Sequence, residues 1–254
     1  MSVGGPAALL PGILSPLLPA YDVEEKGGFG LLGQLVLTPG GRGKTAAGRL
    51  YGVPVLRAEA DPAGFWGERR LRRAGRTLRR GGALRVLAPR DVLPLLAGFG
   101  LHPVDPQPFV RAQGTSLVLA ALERLHLAPD RAAVALRGGR VDRDMVRTAE
   151  QLCRRVRSLV IDAPQGGGEL AARLRREYGV PVLPPGERGH AALLFQAGRP
   201  AEEEVLLEVF GPRPRLAGLT LSAPGLEEGD RESLPLLAVL WECGRLAPQD
   251  IKIT

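Results

Sequence analysis

A chain of 254 residues can bury a full core in one or two domains, and an apolar share of 44% with only 4% aromatics means a core built mainly from Leu, Val and Ala. The formal net charge is +7, but only Lys26, Lys44 and Lys252 are lysine, so 34 basic residues less those three leave 31 arginines. With abundant Ala, Gly, Pro and Leu, that bias reads as GC-rich bacterial coding, and arginine number alone does not specify a polyanionic partner. Cys153 and Cys243 lie far apart with no CxxC pair, which argues against a disulfide framework and for a cytoplasmic compartment.

Residues 1–26 form an apolar arm punctuated by Pro6, Pro11, Pro16 and Pro19. Its first basic residue is Lys26, so neither a signal peptide nor a spanning helix is expected there, and no membrane association is expected. From Gly27 to Ala60, the runs GLLGQLVLTP and RLYGVPVLRAEA flank a glycine-rich stretch and predict a hairpin. Residues 62–80 predict a helix. Pro62 suits its first turn, Leu71, Ala74 and Leu78 make an apolar stripe, and Gly81 and Gly82 stop it. Arg69, Arg70, Arg72, Arg73, Arg76, Arg79 and Arg80 fill the remaining surface. A strand in ALRVLAP and a short helix in DVLPLLAGFG complete a small N-terminal α/β lobe over residues 27–112.

Residues 114–126 predict a helix apolar nearly all round, hence buried, that bridges to a second domain over 113–254. Residues 132–185 then read as β-α-β-α-β. AAVALRGG is a strand into a glycine pair, and VDRDMVRTAEQLCRRV is a helix with Val141, Met145, Ala149, Leu152 and Val156 on one face. SLVIDAP is a strand ending near an acid, QGGG opens a second helix, and VPVLPP is a third strand. Short apolar strands alternating with amphipathic helices predict a parallel sheet, with ligands at the carboxyl ends of its strands. Beyond it, HAALLFQ and LAGLTLSAP predict strands and VLLEVFG a helix or strand. The acids at 202–204 read as a helix start or solvated face, and LPLLAVLWECGRL as a terminal helix anchored by Trp241.

Two glycine loops carry the candidate site. Arg137-Gly138-Gly139-Arg140 follows the first strand, where a dinucleotide fingerprint would bring backbone N–H groups to a pyrophosphate. From Gly138 the series reads Gly-Gly-Arg-Val-Asp-Arg, without the third glycine, and Asp142 and Asp144 bring negative charge to the phosphate position. Asp162, 24 residues after Gly138, stands near the place of a ribose-binding acid. The second loop, Gln165-Gly166-Gly167-Gly168, has the glycines of a backbone anion nest. The string Thr38 to Thr45 ends like a P-loop, but Thr38 stands at its first glycine and no good helix follows, so a turn is expected.

Residues 114–222 resemble, at superfamily level, the Rossmann-like half of NAD(P)-dependent dehydrogenases: a helix leads into the first strand, Asp162 closes the second, and ALLF and LTLS supply later strands. The resemblance implies a nicotinamide cofactor. Catalytic signatures are otherwise missing. His102, His126 and His190 lack metal-ligand spacing, and there is no G-x-S-x-G elbow.

The expected fold is therefore α/β, a Rossmann-like doubly wound and mostly parallel sheet with a smaller N-terminal lobe. The leading functional expectation is non-catalytic binding of a small anionic or nucleotide ligand, or of a protein, at Arg137 to Arg140, Asp162 and Gln165 to Gly168. There the arginines would pair with an anion and Asp162 would accept from a hydroxyl. The alternatives are an NAD(P)-dependent oxidoreductase with an atypical phosphate loop, and a nucleic-acid-binding protein using the arginine helix.

Overall fold

The computed structural model of the chain describes residues 31–40, 43–197, 204–211 and 213–254. The N-terminal arm, Gly41, Arg42 and the first two of the three acids at 202–204 lie outside the described residues.

The smaller, N-terminal sheet has the order β2-β3-β1-β4-β5. Its strands are β1 (Leu32–Leu37), β2 (Thr45–Leu50), β3 (Val53–Ala60), β4 (Arg85–Leu87) and β5 (His102–Pro103). The predicted hairpin is displaced. β1 pairs in parallel with β3, and the antiparallel hairpin is β2–β3, closed by Tyr51 and Gly52 at positive φ. Two left-handed residues match the twist of a two-residue hairpin, so the tight turn lies at Tyr51-Gly52 and not in the longer glycine-rich stretch. Helix α1 (Gly67–Arg80) lays Leu71, Ala74 and Leu78 on Leu35, Ala58 and Val86 of this sheet. Helix α2 (Leu93–Ala97) joins that cluster through Leu96.

Helix α3 (Gln107–Ala112) and helix α4 (Gly114–Arg124) lead to the second sheet. The β-α-β-α-β unit lies where the alternation places it: β6 (Ala133–Arg137), α5 (Arg143–Leu152), β7 (Ser158–Asp162), α6 (Gly167–Tyr178) and β8 (Val182–Leu183). HAALLFQ supplies β9 (Ala191–Leu194), and VLLEVFG resolves to strand β10 (Val205–Glu208). All five strands are parallel, in the order β10-β9-β6-β7-β8. Counted from β6 as first, this is the order of the first five strands of the 3-2-1-4-5-6 Rossmann sheet, with its switch point between β6 and β9. The fold is α/β: a Rossmann-like parallel sheet, wound outward in both directions from β6, beside a smaller mixed N-terminal sheet.

Side chains alternate across the second sheet as a pleat requires. Val134, Leu136, Leu159, Ile161 and Leu193 face α4, α5 and α6, while Ala135, Val160, Ala192 and Leu194 form a separate small cluster on the other face. LAGLTLSAP departs from expectation. Only β11 (Leu221–Ser222) forms there, pairing antiparallel with β12 (Lys252–Ile253) from the polar tail and not with the main sheet. Helix α7 (Leu234–Glu242) is apolar on most sides and joins an apolar cluster that residues of both sheets share, with Trp241 against Phe109. No described helix is long and apolar enough to cross a membrane.

Candidate functional site

The carboxyl ends of β6, β7 and β9 bring together the two glycine loops. Pairing continues past the strands. Gly138 donates to the Asp162 carbonyl at 3.0 Å and Val141 to the Gln165 carbonyl at 2.9 Å, so Arg140 and Gln165 form a parallel bridge. The loops are thereby zipped to each other. Gly166, at φ +82°, stands where an added Cβ would lie 3.3 Å from the Val141 Cβ. The backbone angle and this contact both favour glycine at the start of α6.

The crevice at the switch point is spanned by Gln196, which follows β9. Its carboxamide oxygen accepts from the backbone N–H of Gly139 at 3.0 Å and of Arg140 at 3.2 Å. Two successive N–H groups converging on one oxygen are the arrangement that holds an anion. Here the oxygen belongs to the protein and carries no net charge. An added Cβ at Gly139 would lie 3.2 Å from that oxygen and would press on the end of the Gln196 side chain.

The start of α5 is likewise satisfied internally. Asp142 caps it, accepting from the Met145 N–H at 2.9 Å. Arg111 from α3 pairs with Asp142 at 3.0 Å and Asp144 at 3.3 Å, and donates to the Phe195 carbonyl at 2.5 Å. Burial pushes the Asp144 carboxyl up, and Arg111 opposes that shift. The two acids and Arg111 thus occupy the helix end a pyrophosphate would need.

Arg137 is almost fully buried, at 3% side-chain exposure. Its guanidinium meets Asp162 at 2.5 Å, clasps both oxygens of Glu204 at 2.7 and 3.2 Å, and donates to the Glu187 carbonyl at 2.9 Å. Burial disfavours the charge, but Glu204 and then Asp162 outweigh it and hold the guanidinium above its ordinary pKa. Glu204, whose side chain is wholly buried, also accepts from the Gly189 N–H at 2.7 Å. It is therefore not part of a solvated acidic face, because the interior charge of Arg137 draws it in.

Of the predicted site residues, Arg137 and Asp162 touch each other, Arg140 and Gln165 are bridged, and Gly138 and Gly139 lie in the same loop contact. Gly167 donates to the Ala163 carbonyl at 3.1 Å, and a Cβ at Gly168 would meet open space. Sequence reasoning missed Gln196, Glu204 and Arg111. Each acts on a partner 33 or more residues away, and local pattern carries no signal for that.

Among the described residues no group of three His, Cys, Asp or Glu side chains could hold a metal ion. A cleft of about 1010 Å³ is lined by Ser116, Glu123, His126, Asp130 and Arg155 among others. Residues 129–131 and Arg155 run directly into the starts of β6 and β7, so this cleft lies at the amino ends of the strands, opposite the glycine loops.

No protein-family model and no curated protein matches the sequence. Among solved structures the chain is distantly similar to L-tryptophan dehydrogenase from Nostoc punctiforme, with 14% identity and a TM-score of 0.29, covering 65% of this chain and 56% of that one. It is also distantly similar to aspartate transcarbamoylase from Trypanosoma cruzi, solved with carbamoyl aspartate and phosphate, with 11% identity and a TM-score of 0.30 over 72% of each chain. The chain thus spans little more than half the length of the dehydrogenase.

Proposed function

We propose that this protein is a non-catalytic binding protein whose Rossmann-like strand edge has been closed by its own side chains. The observation that carries the reading is the Gln196 oxygen seated on the Gly139 and Arg140 N–H groups. A dinucleotide phosphate at the same place would have to displace it, and would meet Asp142 and Asp144. Asp162, the residue placed to accept a ribose hydroxyl, already accepts from Arg137. What the edge still presents is Gly139 and Arg140 beside Gln165, Gly166 and Gly168, a surface for a protein or a small anionic ligand. The half-buried thiols of Cys153 and Cys243 are unpaired, and burial pushes Cys153 up to about 11. A thiol so protonated is poorly reactive, which supports a packing role for Cys153.

Titration calorimetry with NAD and with NADP tests the reading. The expected result is no saturable heat with the wild-type chain or with Asp162→Ala. Binding by the wild-type chain that weakens at least tenfold in Asp162→Ala would replace this reading with that of a nicotinamide-dependent oxidoreductase.

A further inference from the structure

We infer that the outer face of α1, with the aromatic pair at its start, is a binding surface for single-stranded nucleic acid. The first argument is where the charge lies. Helix α1 holds seven arginines and one acid, Glu68, a net of +6. The other 240 residues hold 27 basic and 26 acidic side chains, a net of +1, so almost the whole +7 of the chain sits on one helix. GC-rich coding replaces lysine by arginine but leaves net charge unchanged. It cannot explain an excess gathered into 14 residues.

The second argument is geometric. Leu71, Ala74 and Leu78 fix which side of α1 is buried. Arg69, Arg73, Arg76 and Arg80 recur at i, i+4, i+7 and i+11 and form one straight exposed stripe on the other side. At 1.5 Å per residue the stripe is roughly 16 Å long, with a guanidinium every 5–6 Å. A linear chain of phosphates can follow such a track, each phosphate taken by a guanidinium fork. The acids nearby are already engaged: Glu68 by Arg72 at 2.5 Å and Asp61 by Arg70 at 3.1 Å. Arg73, Arg79 and Arg80 have no carboxylate partner among the described residues.

The third argument is the aromatic pair. Phe65 is 90% exposed and Trp66 55%. They meet edge to face at 5.0 Å, and the Arg69 guanidinium lies 5.4 Å from the centre of the Trp66 ring. The loop that carries them is held in place. Asp61 accepts from the Ala63 N–H at 2.9 Å and the Gly40 N–H at 3.1 Å, and these bonds keep its carboxyl below the usual range. That loop stands at the carboxyl end of β3, where parallel sheets present ligands. A stacking platform at the head of a basic track is how proteins hold unpaired strands, because every base offers a face and every link a phosphate. An acidic protein would need the arginines but not the exposed rings. A bilayer would need more apolar surface beside them than these two side chains offer.

Fluorescence anisotropy with a labelled 12-nucleotide oligouridylate tests the inference, with a 12-base-pair duplex, polyglutamate and phosphatidylserine-containing vesicles as competing probes. The oligouridylate is expected to bind best. With about four phosphates neutralised, affinity should fall about 50-fold between about 50 and 200 mM salt. Arg69→Ser/Arg73→Ser/Arg76→Ser/Arg80→Ser should abolish binding. Phe65→Ala/Trp66→Ala should weaken oligouridylate by about tenfold and leave polyglutamate unchanged. If the arginine variant fails to fold, the aromatic variant still decides, since neither ring contributes to the core. No binding of oligouridylate at low salt would overturn the inference. So would equal or tighter binding of the duplex, of vesicles or of polyglutamate, or an aromatic variant that binds oligouridylate like the wild-type chain.

Discussion

Glu204 has no exposed side-chain surface, and its carboxylate is compensated by the Arg137 guanidinium and the Gly189 N–H. Truncating Arg137 would take the guanidinium away from a buried carboxylate that it clasps through both oxygens, with Asp162 beside it. We expect Arg137→Met to cost about 3–5 kcal/mol, the usual consequence of breaking a buried ion pair by removing one member. Arg137→Met/Glu204→Gln should recover a large part of the loss, because the stranded charge is removed together with its counter-ion. Urea denaturation of the two variants measures this. A single-variant loss below about 1 kcal/mol would mean that solvent reaches Glu204 when the arginine is gone.

Helix α6 separates glycines kept for geometry from a glycine that is not. Gly166 needs its positive φ and has the Val141 Cβ beside it, whereas Gly168 lies in the first turn at ordinary φ with open space where a Cβ would go. Gly168→Ala is expected to raise stability by about 0.4–1 kcal/mol through the unfolded chain alone, and the shift of the thermal midpoint checks it. A destabilised variant would show that the first turn of α6 is more constrained than its open surroundings indicate. Elements of this kind were legible in the sequence. β6, α5, β7 and α6 follow from short apolar strands alternating with helices striped by Met145, Ala149 and Leu152. The partner of β1 was not legible, because two neighbouring apolar runs suggest a hairpin and only tertiary contacts insert β3 between β1 and β2. Likewise Leu221–Ser222 reads as a core strand, yet its partner is the chain's last residues. The glycines at 138–139 and 166–168 mark the candidate edge in the sequence. What occupies it, Gln196 and Glu204, depends on contacts 57 and 67 residues away in sequence.

Across the whole molecule one apolar cluster ignores the division into two sheets. Leu32, Val53 and Val55 of the smaller sheet share it with α7 and with Val134 and Leu136 of the larger one. Polar ties run the same way: Arg85 to Glu242 at 2.7 and 3.2 Å, and the Tyr51 hydroxyl to Asp230 at 2.9 Å. We therefore expect one calorimetric unfolding transition, with calorimetric and van't Hoff enthalpies equal. Two resolved transitions would mean that the sheets unfold independently. The lodging of nearly all excess charge on α1 has a further effect at this scale, one of orientation and speed. A molecule whose net positive charge is gathered on one helix offers a polyanion that helix as its most attractive face. In the field of a polyanion it turns before it touches, so more of its diffusive encounters begin with Trp66 and the arginine stripe foremost, and the association rate rises while the dissociation rate is left to the contacts themselves.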